Sequence, residues 1–293
     1  MGEKFQRIVF FNYYHYGDIH QSRSFIRWMV SKELGEKYYI SQRMKNHVLQ
    51  DIPELEMVDF SFVEEKGLSH DSESRVIDGD LFINTWVGQR KALCTLDSHR
   101  GLFSDVLRKF VGIDLDSDKT YLPLIDYEYY DIDKARDFMT RRNRPAVLIV
   151  NGDVLSGQSV NFSFNPVVEK LATYNEDVDF YLTDETSRIE GFENVFYTRD
   201  VIGKDGCDLN ENAFIGENSN LVVGRSSGVY TYVIGEKTVN DHIFSLLCFS
   251  HNSEDEALFT KLWKGNAKKY GSNLAEDEIR ENIQIEITRI KGA

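Results

Sequence analysis

At 293 residues, with 41% hydrophobic and 13% aromatic side chains, the chain has material for two packed cores of ordinary domain size. A net charge of −14 argues against nucleic acid or an anionic membrane as the main partner, since both select basic surfaces. Cys94, Cys207 and Cys248 form neither a zinc pattern nor a disulfide framework, no run reaches the ~20 apolar residues of a membrane span, and MGEKFQRIVFFNYY lacks a signal-peptide core, so a cytoplasmic address is expected.

The first element is Arg7-Ile8-Val9-Phe10-Phe11-Asn12, a run suited to a strand buried on both faces. It runs through Tyr13-Tyr14-His15-Tyr16-Gly17-Asp18 into Ile19, Phe25, Ile26, Met29 and Val30, which repeat at helical spacing. Asp18 reads either as a helix N-cap or as a carboxylate at the carboxyl end of a first parallel strand, where open α/β sheets hold their ligands. Further strands are expected at Tyr38–Ser41, Leu55–Phe62 and Asp80–Trp86, with a short helix over His47–Asp51. Residues 64–79 read as a solvated loop, and Leu102–Val111 as a helix preceded by Asp97-Ser98-His99-Arg100. Asp114-Leu115-Asp116 has the spacing of a metal motif but follows a helix and Gly112, which makes it a solvated turn.

Tyr121 to Pro145 reads as the linker, containing a charged helix from Asp131 to Arg142 that Pro145 stops. The second half opens on Ala146–Val150, another doubly buried strand, whose exit Asn151-Gly152-Asp153-Val154-Leu155-Ser156-Gly157-Gln158-Ser159 is rich in small residues. A helix at Pro166–Tyr174 follows, then strands at Val178–Thr183, Val195–Tyr197, Leu221–Val223 and Ile243–Phe249, and a largely helical tail from Glu254. Short apolar runs alternating with helices are the pattern of a parallel sheet covered on both faces. The chain is therefore expected to be α/β, with two Rossmann-like parallel-sheet domains over residues 1–140 and 141–293.

Asn220 to Ile234, NLVVGRSSGVYTYVI, is the most pointed stretch. A β-branched strand leads into Gly224-Arg225-Ser226-Ser227-Gly228, and helical spacing resumes at Val229, Tyr232 and Val233. A strand, a small polar turn and a helix start can hold an anion through backbone N–H groups, with Arg225 adding a planar cationic fork. The same turn can also be an ordinary βα connection whose serines cap the helix.

Gly17-Asp18-Ile19-His20-Gln21-Ser22 ahead of an amphipathic helix resembles the N-terminal motif of the lipopolysaccharide heptosyltransferase family, two-domain glycosyltransferases of the GT-B type. Leu221 to Gly228, preceded by Leu209–Ile215, is similar to the C-terminal motif of that family, and the two matches stand in the expected order about 200 residues apart. The chain departs from the family at Arg225-Ser226-Ser227-Gly228-Val229-Tyr230, which lacks the family's Asp and nearby His, so the donor sugar stays open. A Ser-Ser pair in this turn is also similar to the α-fucosyltransferase branch of GT-B enzymes.

The resemblance implies a cleft between the domains and transfer of a sugar from a nucleotide-activated donor to a saccharide or glycolipid acceptor. Asp18 would be the general base. Gly152, Gln158, Ser159, Arg225, Ser226, Ser227 and Gly228 would hold the donor. Asn84, Trp86 and His99 would face the acceptor, with Trp86 offering an aromatic face to a pyranose ring. Arg225 and the helix dipole would take the role a metal plays elsewhere, so no metal or cofactor is expected, and the terminal helix would cross back to the first domain. The competing expectations are a catalytically idle sugar- or nucleotide-binding protein of the same fold, and a structural or assembly protein. The oligomeric state is open.

Overall fold

The computed structural model describes residues 4–43, 48–88, 95–154, 159–203, 209–251 and 262–292. The chain divides into two compact units, Met1–Tyr129 and Tyr130–Ala293.

The first unit runs β1 (Phe5–Asn12), α1 (Tyr16–Ser31), β2 (Gly35–Gln42), β3 (Leu55–Val58), α2 (Ser61–Glu64), β4 (Arg75–Ile77), β5 (Asp80–Asn84) and α3 (Thr95–Val106). A π-helical turn, Leu107–Val111, extends α3 and ends at Gly112, whose φ of 74° is the left-handed conformation that glycine adopts without strain. The sheet order is β3-β2-β1-β5-β4. Its four longer strands are parallel, and β4 pairs antiparallel with β5. The last five residues of β1 are all buried, as a doubly covered central strand requires.

Two sequence expectations change here. The strand expected over Leu55–Phe62 stops at Val58, because Asp59 Oδ1 accepts the N–H of Ser61 at 2.9 Å and turns the chain into α2. The polar stretch 64–79 holds β4, which Asp78 (φ 52°) and Gly79 (φ 83°) reverse into β5. Positive φ at both central residues marks the hairpin turn that Asp-Gly favours.

The second unit runs α4 (Asp133–Arg141), β6 (Ala146–Val150), α5 (Asn165–Tyr174), β7 (Asp179–Leu182), β8 (Val195–Tyr197), α6 (Thr198–Ile202), α7 (Leu209–Glu217), β9 (Leu221–Arg225), α8 (Gly228–Tyr232), α9 (Glu236–Asn240), β10 (Ser245–Ser250), β11 (Asn266–Gly271) and α10 (Glu276–Lys291). Its sheet, ordered β11-β10-β9-β6-β7-β8, is parallel throughout. The core joins Val147, Ile149, Phe180, Leu182, Val223 and Phe249 of the strands to Val168 and Leu171 of α5 and Ile279, Ile283 and Ile287 of α10.

Strand β11 lies in the tail expected to be helical. NAKKYG has no apolar alternation, because it is a half-buried edge strand that pairs only with β10. The terminal helix α10 has its apolar face in the second unit's own core and ties to α5 through Gln284–Asn175 and Lys170–Glu276. Among the described residues no helix is long and apolar enough to cross a membrane.

Candidate active site

In open α/β sheets, ligands gather beyond the carboxyl ends of the strands where the strand order reverses. In the first sheet the order reverses between β1 and β5, and in the second between β6 and β9. Most of the residues singled out in the sequence fall at these two places.

At the first, α1 begins one turn earlier than expected: its N-cap is His15, so Asp18 lies in the first turn and is not the cap. The N–H of His15 bonds Asn12 Oδ1 at 2.9 Å, and Asn12 Nδ2 reaches Thr85 Oγ1 at 3.2 Å, which ties the two strand exits together. The Asp18 side chain is 17% exposed, and its Oδ1 lies 3.5 Å from Nε2 of the fully buried His99 on α3. Burial pushes the Asp18 carboxyl up to about 7, against the opposing effect of hydrogen bonds from the N–H groups of Val87 and of Asp18 itself. A carboxyl that titrates near neutrality, with part of its surface open, has the properties of a general base.

Around it lies an aromatic surface. The ring of His15 stacks on Trp86 at 5.3 Å with 6° between planes, His70 approaches Trp86 at 6.3 Å, and Tyr14 meets His70 edge-on at 5.4 Å. Burial, then the neighbouring His70, lowers the His15 pKa and favours its neutral ring. Asn84, expected to line the site, is 6% exposed and uses its amide elsewhere. Nδ2 bonds the carbonyls of His70 and Ser72 at 2.7 and 2.9 Å, while Oδ1 accepts the N–H of Trp86 at 2.9 Å. It positions both sides of the aromatic surface. His15, Tyr14 and His70 were not singled out in the sequence, since a loop carries no periodicity that marks them.

At the second place, Arg225 ends β9 and is 1% exposed. Its Nη2 donates to the carbonyls of Asn151 and Gly152 at 2.5 and 2.6 Å and its Nη1 to that of Phe162 at 2.8 Å. The guanidinium lies over the rings of Phe162 and Phe164 and is 3.5 Å from Asp153 Oδ1. Arg225 therefore clamps the exit of β6 to the exit of β9, directly across the reversal. Asn151 extends the brace: its Oδ1 accepts the N–H of Asp184 at 2.8 Å and its Nδ2 donates to the Asp184 carbonyl at 2.9 Å.

Ser227 is the N-cap of α8, its hydroxyl accepting the N–H of Tyr230 at 3.2 Å, and the N–H of Ser226 bonds the Phe249 carbonyl at 2.9 Å. Gly228 is exposed. Gly224 packs so tightly that a Cβ there would meet the Tyr230 ring at 2.7 Å and Val150 Cβ at 2.8 Å. Because α8 spans only five residues, the helix dipole expected at this turn is weak. Ser159 is buried, with its hydroxyl on the carbonyl of Val160 at 3.2 Å. Gln158, His47, Cys94 and Cys207 lie outside the described residues. Asp116 accepts the Trp28 indole N–H at 2.9 Å, which together with Lys119 holds it below the usual carboxylate range, and Asp114 pairs with Arg108. No group of three or more His, Cys, Asp or Glu among the described residues is placed to hold a metal ion.

No family model matches the chain, and no curated protein does. Solved structures match along its whole length. A glycosyl transferase family 9 protein of Veillonella parvula superposes with a TM-score of 0.60 at 12% identity, covering 100% of this chain and 99% of that one. The E. coli ADP-heptose lipopolysaccharide heptosyltransferase II gives 0.51 at 11% identity over 97% and 99%. The E. coli heptosyltransferase WaaC with ADP-2-deoxy-2-fluoro heptose gives 0.50 at 12% over 95% and 99%. The chain is thus similar to these glycosyltransferases in fold, two Rossmann-like units of the GT-B kind.

Proposed function

We propose that the protein is a glycosyltransferase that moves a sugar from a nucleotide-activated donor to a saccharide acceptor, with Asp18 as the general base. The observation that carries this is the Asp18 carboxyl, at the strand-order reversal of the first sheet, titrating near 7 and partly open to solvent. The fold supports the reaction class by analogy, since the neighbours are glycosyltransferases, two of them acting with heptose donors by name.

In this mechanism Asp18 takes the proton of the attacking acceptor hydroxyl. The acceptor oxygen bonds the anomeric carbon as the bond from that carbon to the diphosphate breaks, and the electron pair leaves with the nucleoside diphosphate. The second unit carries the donor on the exits of β6 and β9, at Gly152, Ser226, Ser227 and Gly228. Arg225 braces those exits from beneath and does not present its fork to phosphate, because its guanidinium is buried on three carbonyls. Trp86 and the adjoining rings of Tyr14, His15 and His70 offer the acceptor an aromatic surface, suited to the apolar face of a sugar ring. Catalysis proceeds without a metal.

A melting-temperature screen against ADP, UDP, GDP and their sugar conjugates tests the assignment. A ligand at 100 times its Kd stabilises by about 2.7 kcal/mol, so a genuine donor raises the melting temperature by several degrees. No shift with any nucleotide, at millimolar ligand, would leave the structural or assembly role as the better description.

A further inference from the structure

Asp18 and His99 stand far apart in sequence, and the helices bring them together through a repeating contact. Asp18 and Phe25 are seven residues apart on α1, and His99 and Phe103 four apart on α3, so each pair lies on one helix face. The Phe25 and Phe103 rings stack at 4.8 Å with 6° between planes, and Tyr121 stacks on Phe25 at 4.7 Å. That contact fixes α3 against α1 and delivers His99 Nε2 to 3.5 Å from Asp18 Oδ1, within ion-pair reach and beyond the ~3.2 Å of an ordinary hydrogen bond. Among the described residues, the N–H of Val87 at the exit of β5 and the N–H of Asp18 itself also bond this carboxyl, while the ring of His15, three residues earlier, is stacked on Trp86.

We propose that His99 is a positioning residue for the base: its Nε2–H holds one carboxylate oxygen of Asp18 and fixes the side chain toward the acceptor. This rests on Asp18 acting as the base, and it assigns His99 a role behind the carboxylate instead of the direct acceptor contact expected for it. A donor hydrogen bond favours the ionised form, which burial alone disfavours. Without it Asp18 keeps its desolvation and loses compensation, so it titrates at higher pH.

The test reads the pair without turnover. The Asp18 carboxyl is followed by 13C NMR in wild type, His99→Gln and His99→Leu, and the His99 ring nitrogens by 15N NMR in wild type and Asp18→Asn. We expect His99→Leu to raise the Asp18 midpoint by about one unit. His99→Gln, whose amide N–H reaches the same place, should stay near wild type. The acid limb of kcat should follow these midpoints while the KM for the donor stays fixed. The His99 ring shifts should move in Asp18→Asn, a partly exposed change that keeps the fold even where His99→Leu does not. An unmoved Asp18 midpoint in folded His99→Leu, or unchanged His99 nitrogens in Asp18→Asn, would overturn the pairing. Loss of the NMR coupling speaks against His99 alone. Intact coupling in a protein without transferase activity speaks against the base assignment alone.

Discussion

Arg225 Nη2 sits 2.6 Å from the carbonyl oxygen of Gly152, so a buried guanidinium from β9 holds the loop that leaves β6. Removing it leaves buried carbonyls without donors, at roughly 1–3 kcal/mol for each such group. Arg225→Ala should melt several degrees lower by calorimetry. Arg225→Lys should be intermediate, because a point charge cannot reach the carbonyls that the planar fork spans. Unchanged melting with lost nucleotide affinity would show instead that the guanidinium grips phosphate.

Glu286 anchors the opposite end of the second sheet. Burial alone would raise its pKa. Hydrogen bonds from Lys268 at 2.6 Å, Arg289 at 2.9 Å, Ser245 at 2.8 Å and Asn266 at 2.6 Å more than offset this and hold it down to about 2. With the folded value below the ordinary 4.5, the ionised form stabilises the fold above about pH 4.5. That stability is lost as pH falls through the window down to about 2. Glu286→Gln should melt lower than wild type at pH 7, and the gap should close in acid. Melting curves that stay equally separated from pH 7 to pH 3 would remove Glu286 from this role.

The strands were legible because both sheets are mainly parallel: a strand buried on both faces reads as an unbroken apolar run, as Phe10-Phe11 and Ala146–Val150 do. Strands β4 and β11 show no such run because edge strands need none, although Asp78-Gly79 is itself a hairpin signal. The start of α8 at Gly228 was readable from its spacing and its serine cap. Arg225 was seen as important for a reason of charge, yet its direction depended on Phe162 and Asn151, remote in sequence. The nearness of His99 to Asp18 was hidden for the same reason, since it follows from how two helices pack.

Trp86 offers the test of the aromatic surface. If it carries an acceptor ring, Trp86→Ala should raise the acceptor KM by about 3–10-fold, the worth of one aromatic contact, with a smaller effect on kcat. An unchanged KM would make the indole a packing partner of His15 and His70.

Metal independence is tested by chelation. The described residues bring no cluster of three or more His, Cys, Asp or Glu together, and Asp114 and Asp116 are engaged by Arg108, Trp28 and Lys119. We predict that activity is unchanged in excess EDTA. Loss on chelation with recovery on adding Mn²⁺ would return Asp114 and Asp116 to consideration.

The most direct test is the turnover of Asp18→Asn on the nucleotide sugar that the melting screen selects, with donor affinity measured beside it. Because burial raises the folded pKa of Asp18 from 3.8 to about 7, the stability that the protonated side chain contributes is lost as pH rises between those values, so the variant should melt no lower than wild type at pH 8. Any loss of rate there is then chemical. A positioned base is worth ~10²–10⁴-fold, and Asp18→Asn should lose that much with its donor Kd unchanged. Wild-type kcat should also rise through about pH 7 as the carboxyl ionises. A variant that keeps more than about a third of wild-type turnover, far above the loss a general base implies, would contradict the assignment.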